Sequence, residues 1–197
     1  EVAWAYIHRA EGRGTDEDVR AEVVQLLGPV LRLYLEGDDV MIANAAAWHA
    51  SHILEHSWEQ WRRVLSVNLD AYFVLGQEAA RAMKDTGGGV ILFTSSIVGE
   101  GHGRDFTSYN VAKAGVIQLA KAFAVECAPF KIRCNCVAPG PADTQQSVDL
   151  VGEELMEKWR KEGFPVVPLG TLAEDTDIAE AFLYLASDAA KYVSGIN

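Results

Sequence analysis

The chain has 197 residues, of which 49% are hydrophobic and 23% are charged, a balance typical of one globular domain with a full core. Its 17 Lys and Arg residues are outnumbered by 28 Asp and Glu residues, so its formal net charge of −11 repels phosphates and argues against nucleic acids and anionic membranes as partners. No apolar run reaches the roughly 18–20 residues that span a bilayer, and three cysteines are too few for a disulfide framework, which favours a cytoplasmic location.

Five runs of apolar and β-branched residues predict strands. The runs are nearly continuous rather than alternating, as expected for a parallel sheet that is covered on both faces. They are Val2–Ile7, Val30–Leu35, Val40–Ala45, Gly89–Thr94 and Ile132–Val137.

Helical patterns lie between these runs and follow them. The predicted helices are Val19–Leu27, Trp58–Met83, about Ser108–Cys127, and Thr176 to about Ser187. Strands that alternate with helices predict an α/β fold, a Rossmann-type doubly wound parallel sheet with helices on both faces. We expect a single domain over residues 1–197.

One junction interrupts this alternation. Only the four residues Glu36 to Asp39 separate the strand ending at Leu35 from the strand starting at Val40. A parallel crossover needs at least roughly 10–12 residues. Either these two strands form an antiparallel hairpin, or residues of the polypeptide are missing from the sequence at this point.

Tyr109 and Lys113 are four residues apart, which places a phenol and an ammonium on one face of a helix. A phenol titrates near pH 10, and a neighbouring positive charge favours the phenolate. We therefore expect Lys113 to lower the pKa of Tyr109, so that the pair exchanges a proton near neutral pH. By itself, the pair also fits an exposed surface helix.

Polar residues follow three of the predicted strands. Ser96 comes two residues after the predicted strand Gly89–Thr94 and precedes Tyr109 by 13 residues. Substrates bind at the carboxyl ends of strands in such sheets, although a serine there can also satisfy its own turn. The other polar segments are Asn44-Ala45-Ala46, Asn68 within the long helix, and Asn135 to Gly140 followed by Thr144.

Together these segments resemble the short-chain dehydrogenase/reductase family, in order and in spacing, from Asp39 to Gly195. The matching segments are Asn44-Ala45-Ala46, Val67-Asn68, Thr94-Ser95-Ser96, Tyr109-x-x-x-Lys113 and Asn135-x-Val137-x-Pro139-Gly140 with Thr144.

The resemblance implies a catalytic role for four residues. Tyr109 would be the general acid or base, and Lys113 would lower its pKa and hold the nicotinamide ribose. Ser96 would hydrogen-bond the substrate oxygen. Asn68 would anchor a water that links Lys113 to solvent.

The resemblance also implies a nicotinamide dinucleotide cofactor. Its expected binding residues are Arg9, Asp38, Asn44, Ala45, Ala46, Tyr109, Lys113, Pro139, Gly140, Ala142 and Thr144. Thr144 and the backbone near Ala142 would hold the carboxamide, and Asp38 would flank the adenine. Because Arg9 comes at the end of the first strand segment and the first acid after it is Glu11, we expect NADP, with NAD as the alternative.

The sequence departs from the family in several places. It has no Gly-rich phosphate-binding turn, no helix near Gly37 to Asp39 and no last strand after Asn197, and Ala46 replaces a usual glycine. We expect that the real polypeptide has a first βα unit, an internal helix and a last strand that this sequence lacks.

Trp48, His102 and Phe106 are the expected substrate-pocket residues, and Gln145–Pro165 would form a mobile lid. His49, His52 and His56 have helical spacing, but no carboxylate or Cys motif completes a catalytic metal set, so we expect no metal.

The sequence predicts an NADP-preferring carbonyl reductase that interconverts a ketone and a secondary alcohol, as a homodimer or homotetramer. Two alternatives stay open. One is a dinucleotide-binding regulator without turnover, and the other is an enzyme similar to nucleotide-sugar epimerases and dehydratases, which also use Tyr-x-x-x-Lys.

Overall fold

The structure is a computed structural model that describes residues 40–164 and 167–197. Its strands β1 (Val40–Ala43), β2 (Gly89–Thr94) and β3 (Ile132–Val137) form a parallel sheet in that order. The predicted bounds of β2 and β3 are confirmed to the residue. The predicted elements Val2–Ile7, Val19–Leu27 and Val30–Leu35 and the junction at residues 36–39 lie outside the described residues.

β1 is two residues shorter than the predicted strand Val40–Ala45. Beyond Ala43, backbone carbonyls accept hydrogen bonds from helix side chains. Tyr72 Oη donates to the Ala45 carbonyl at 3.0 Å, and Asn68 Nδ2 donates to the Ala47 carbonyl at 2.6 Å. Beyond the end of β1, these side chains therefore satisfy backbone carbonyls that no longer pair with a neighbouring strand.

Six α-helices are described. They are α1 (Trp58–Leu65), α2 (Ala71–Met83), α3 (Thr107–Cys127), α4 (Gln145–Val151), α5 (Glu153–Glu162) and α6 (Asp175–Ala186). The predicted bounds of α3 and α6 are correct to within one residue, a difference of the size expected at fraying helix ends. In the described part of the chain, no helix is both long and apolar enough to cross a membrane.

The prediction of one continuous α-helix over Trp58–Met83 is wrong in its middle. Between α1 and α2 lies a π-helical turn, Ser66–Asp70, in which the Ala71 N–H bonds the Ser66 carbonyl five residues back. Apolar periodicity does not reveal such a turn, because one extra residue per turn barely disturbs the pattern. Turns of this kind occur often at functional sites, and this one carries Asn68.

The sheet is covered on both faces, as predicted. Alternate residues of a strand point to opposite faces. Accordingly, Ile91 and Phe93 of β2 pack in a core cluster with α2 and α3, whereas Val90 and Leu92 pack with residues of α6.

Candidate active site

The ends of the strands bring together the polar segments that the sequence singled out. All three strands are parallel, so Asn44, Ser96 and Pro139 follow them at the same edge of the sheet. Thr94 Oγ1 donates to Asn44 Oδ1 at 2.8 Å, and the Ile97 N–H donates to the Pro139 carbonyl at 3.2 Å. These bonds hold the three strand ends in one polar cluster.

Ser96 lies beside Tyr109, close enough to act as a hydrogen-bonding partner that lowers the pKa of the phenol. Ser96 also caps the short 3-10 turn Ile97–Gly99, where its Oγ accepts from the Val98 N–H at 3.4 Å. Tyr109 lies in the first turn of α3. The 13-residue spacing therefore joins a strand end to a helix start, as the sequence indicated.

Gly99 sets how closely this turn approaches α3. A Cβ on Gly99 would lie 2.8 Å from the carbonyl carbon of Lys113, closer than real Cβ atoms come to backbone. Because only glycine avoids that clash, Gly99 lets Ser96 sit beside the helix face that carries Tyr109 and Lys113.

Lys113 is completely buried, which is rare for lysine unless its charge is compensated. Its Nζ donates to the Thr94 carbonyl at 2.7 Å and contacts Tyr72 Oη at 3.5 Å. The same atom lies 5.0 Å from the centre of the Tyr72 ring and 5.5 Å from that of Tyr109. The structure thus brings the predicted phenol and ammonium to one place.

The expected acidification of Tyr109 is not what the structure gives. Burial raises the pKa of Tyr109, and the hydrogen bond with Ser96 offsets this only in part. Burial also lowers the pKa of Lys113, to about 8, while nearby Cys136 acts in the opposite direction. Loss of hydration disfavours the charged form of both groups, so Tyr109 is a protonated phenol at neutral pH.

The described hydrogen bonds of the Asn68 side chain go to backbone carbonyls. Its Nδ2 donates to the carbonyls of Ala47 and Val64, at 2.6 and 2.8 Å. Its Oδ1 is buried and has no hydrogen-bond partner among the described residues. This leaves an acceptor available for a bound molecule, as the expected role in a water-linked chain would require.

Besides Tyr109 and Lys113, the described residues expected to bind the dinucleotide lie after β1 and after β3. Asn44, Ala45 and Ala46 are exposed after β1, while Pro139 and Gly140 follow β3. The Thr144 hydroxyl accepts from the Ser147 N–H at 3.2 Å and so caps α4, and Ala142 is buried in a bridge with Ala173. Arg9 and Asp38 lie outside the described residues.

These residues fit a nicotinamide dinucleotide. An ammonium has three N–H donors, and the contacts of Lys113 with described residues use two of them. The Tyr109 hydroxyl adds a donor and acceptor beside it, and the exposed Asn44-Ala45-Ala46 segment presents only small side chains. Ribose hydroxyls would be held by Lys113 and Tyr109, with the rest of the cofactor along the strand ends.

The loop after β3 is fastened to the segment predicted as a lid. Up to Glu162 that segment is helical, and α4 and α5 meet at Gly152, which has a φ of 86°. Arg160 of α5 binds both carboxylate oxygens of Asp143, at 2.7 and 2.8 Å. Sequence reasoning missed this pair, because 17 residues separate its members.

Two of the three expected pocket residues are in contact. The rings of Trp48 and Phe106 lie 6.3 Å apart, edge to face, which joins the loop after β1 to the loop before α3. His102 is exposed on that second loop. His56 Nδ1 pairs with Ser51 Oγ at 2.7 Å, and among the described residues no cluster of three or more His, Cys, Asp or Glu is placed to hold a metal ion.

Tyr72 is a site neighbour that the sequence analysis did not single out. Its hydroxyl contacts both the Ala45 carbonyl and Lys113 Nζ. The signal that would have found it is its spacing of four residues from Asn68, which places both on one side of the helical segment.

A parallel sheet with helices on both faces and a buried Tyr/Lys pair at its carboxyl edge defines a Rossmann-type α/β protein. The sequence profile of a family described as enoyl-(acyl carrier protein) reductase matches residues 16–197. The chain is 36% identical over 159 residues to an uncharacterized short-chain type dehydrogenase/reductase of Sinorhizobium fredii, and 38% identical over 157 residues to a 3α-hydroxysteroid dehydrogenase of Mediterraneibacter gnavus. The protein belongs to the short-chain dehydrogenase/reductase family.

Solved structures agree with this assignment. A 7α-hydroxysteroid dehydrogenase, complexed with NADH and 7-oxo glycochenodeoxycholic acid, superposes with a TM-score of 0.78 at 29% identity, over 90% of this chain and 67% of that one. Each of the two curated relatives is matched over 80% of this chain and 61% of its own length. The chain therefore spans about three fifths of the length of these relatives.

Proposed function

We propose that this protein is an oxidoreductase that interconverts a ketone and a secondary alcohol, with Tyr109 as the acid or base. The observation that carries the proposal is the Tyr109 hydroxyl, which is hydrogen-bonded to Ser96 at the carboxyl end of β2, with the Lys113 ammonium 5.5 Å from its ring centre. A proton donor and a second hydrogen-bonding hydroxyl are what a carbonyl oxygen needs as it becomes an alkoxide.

A bound nicotinamide supplies or accepts the hydride. In the direction of reduction, Tyr109 donates its proton to the carbonyl oxygen, and Ser96 donates a hydrogen bond to the same oxygen. The raised pKa of Tyr109 keeps the proton on the phenol at neutral pH, which suits it as an acid. Lys113, which is buried, would hold the ribose and would stabilise negative charge on Tyr109 after the proton has left.

Three further features belong to the proposal. NADP(H) is the preferred cofactor, supported by Arg9 at the end of the first predicted strand. A second copy of the chain packs against α2 and α3, whose surface groove is lined in part by Phe73, Phe123 and Phe130. The location is cytoplasmic, in keeping with three free thiols in a chain of three cysteines.

Replacing Tyr109 with Phe tests the proposed chemistry. Positioned acids and bases contribute typically 10²–10⁴-fold to rate, so we expect kcat to fall at least about 100-fold. The Kd for NADPH, measured by fluorescence titration, should stay within about 3-fold, because Lys113 remains to hold the ribose hydroxyls. The assay follows NADPH and NADH oxidation with a panel of ketones.

The outcomes separate the alternatives. Unchanged turnover in Tyr109→Phe would exclude this mechanism. A wild-type protein that binds NADPH but turns over none of the ketones would support a regulator. Failure to bind either dinucleotide would contradict the whole proposal.

A further inference from the structure

Tyr72 is a buried titratable group that the proposed chemistry does not use. Its side chain is 1% exposed, on the first turn of α2. Its hydroxyl donates to the Ala45 carbonyl at 3.0 Å and lies 3.5 Å from Lys113 Nζ, and its ring packs against Phe93 at 5.6 Å. A tyrosine placed only for packing would not need to aim its hydroxyl at an ammonium.

The proton count fixes the direction of these bonds. A phenol has one proton, and Tyr72 gives it to Ala45, so its oxygen faces Lys113 with lone pairs. Burial raises the pKa of Tyr72 well above its usual value, which keeps it neutral. The oxygen is therefore a fixed acceptor for the ammonium.

Because Lys113 is buried, a small set of protein groups takes the place of the water that would hydrate its ammonium. The Thr94 carbonyl and the Tyr72 hydroxyl accept from Nζ, and the rings of Tyr72 and Tyr109 lie within the roughly 6 Å range of cation–π attraction. Without them, a buried ammonium would lose its proton. Tyr72 contributes to this set twice, through its oxygen and through its ring.

Resting on the function proposed above, we propose that Tyr72 is a positioning residue of the active site. It keeps Lys113 charged and oriented, and it ties Lys113 to the Asn44–Ala46 segment that would face the dinucleotide. A single side chain thus couples the cofactor-binding end of β1 to the ammonium on α3.

Few other titratable groups face Lys113 from the described elements packed around it. Tyr109 does so from its own helix, Tyr72 from α2 and Cys136 from β3, whereas β2 contributes the uncharged Thr94 carbonyl. Cys136 would favour the ammonium only as a thiolate, and burial raises its pKa to about 12, so it is a neutral thiol near pH 8. Near pH 8, Lys113 is therefore the group in this cluster that titrates.

The variant Tyr72→Phe tests the proposal, because it keeps the ring and removes only the hydroxyl. The pKa of Lys113 is measured by NMR on protein labelled with ¹³C at lysine Cε, without dinucleotide, and its signal is assigned with Lys113→Arg. We expect this pKa to fall by at least about 0.5 unit, because the ammonium loses an acceptor. Tyr192→Phe is the matched control, since Tyr192 is fully exposed and its loss should leave the pKa unchanged.

Cofactor binding and kinetics supply the second readout. In Tyr72→Phe we expect the Kd for NADPH to rise about 3- to 10-fold and the KM for NADPH to rise with it, with a smaller change in kcat. A lower melting temperature with an unchanged pKa for Lys113 and an unchanged Kd would show a purely structural role and overturn the proposal. The NMR measurement needs no turnover, so it decides the role of Tyr72 even if Tyr109→Phe disproves the proposed reaction.

Discussion

Tyr109 is subject to two opposing effects on its proton affinity. Burial raises its pKa, and the hydrogen bond with Ser96 lowers it. A hydrogen bond that stabilises the phenolate matters most in the direction of alcohol oxidation, where Tyr109 acts as a base. Ser96 therefore has two parts in the proposed reaction, one toward the substrate oxygen and one toward the phenol.

Ser96→Ala should move the pH dependence of alcohol oxidation to higher pH. Oxidation requires the phenolate, so its rate rises as pH passes through the pKa of Tyr109, and loss of the hydrogen bond raises that pKa. Reduction requires the phenol, so its plateau at low pH should extend upward by the same amount. The measurement is kcat/KM against pH in both directions.

Ser66→Ala is the control for this change, because Ser66 is exposed. We expect its pH profiles to match those of the wild type. A profile of Ser96→Ala that drops in height without moving along the pH axis would show that Ser96 acts on the substrate alone.

At the scale of elements, the site depends on the close approach of a short turn to a long helix. α3 carries Tyr109 and Lys113 one turn apart, and the turn Ile97–Gly99 places Ser96 beside them. Gly99 makes this approach possible, because any side chain there would meet the backbone of Lys113. The backbone of Lys113 cannot move aside from such a side chain by a simple bond rotation, as a flexible side chain could.

Gly99→Ala should separate Ser96 from Tyr109. A displacement of this kind weakens hydrogen bonds that depend on distance, so we expect kcat/KM for the ketone to fall roughly 10-fold or more, equivalent to about 1.4 kcal/mol. NADPH binding, measured by fluorescence, should change less.

Gly101→Ala is a matched control two residues further on. A Cβ at Gly101 would lie 3.6 Å from its nearest neighbour, the Ile97 carbonyl oxygen, which is ordinary contact. We expect near wild-type activity from it. Equal losses in the two variants would show that the turn does not position Ser96.

At the scale of the whole molecule, α2 and α3 present apolar side chains on an outer face. Phe73 of α2 and Phe130, in the turn that follows α3, line the groove at this face and remain nearly half exposed. Burying such a surface against an identical one is favourable by roughly 25 cal/mol per Å² of apolar area. This is the physical argument for a symmetric assembly.

Phe73→Arg, at a groove-lining residue of α2 that is 46% exposed, should weaken that assembly. We expect light scattering after size exclusion to give a dimer or tetramer for the wild type and a smaller mass for the variant, because the contact would bury an unpaired charge. Leu169→Arg, at an apolar side chain that is 90% exposed and lies outside these two helices, should leave the mass unchanged. A wild-type protein that is monomeric at micromolar concentration would contradict the proposal.

The sequence by itself determined the class of fold and the pieces of the candidate site. Near-continuous apolar strands dictated a parallel sheet covered on both faces, because such runs are unstable in contact with water. The spacing of Tyr109 and Lys113 on one helix, and of Ser96 before it, followed from local geometry. The same apolar runs also predicted the bounds of β2 and β3 to the residue.

Only the tertiary structure decided what those pieces do to one another. The backbone departs from the local pattern at the π turn that carries Asn68 and at the early end of β1. The contact of Tyr72 with Lys113 and the pair of Asp143 with Arg160 join residues of different elements. The proton affinity of Tyr109 was mispredicted because spacing shows that a lysine is near, whereas burial depends on everything packed around both groups. Desolvation is a property of the whole fold, and no local pattern carries it.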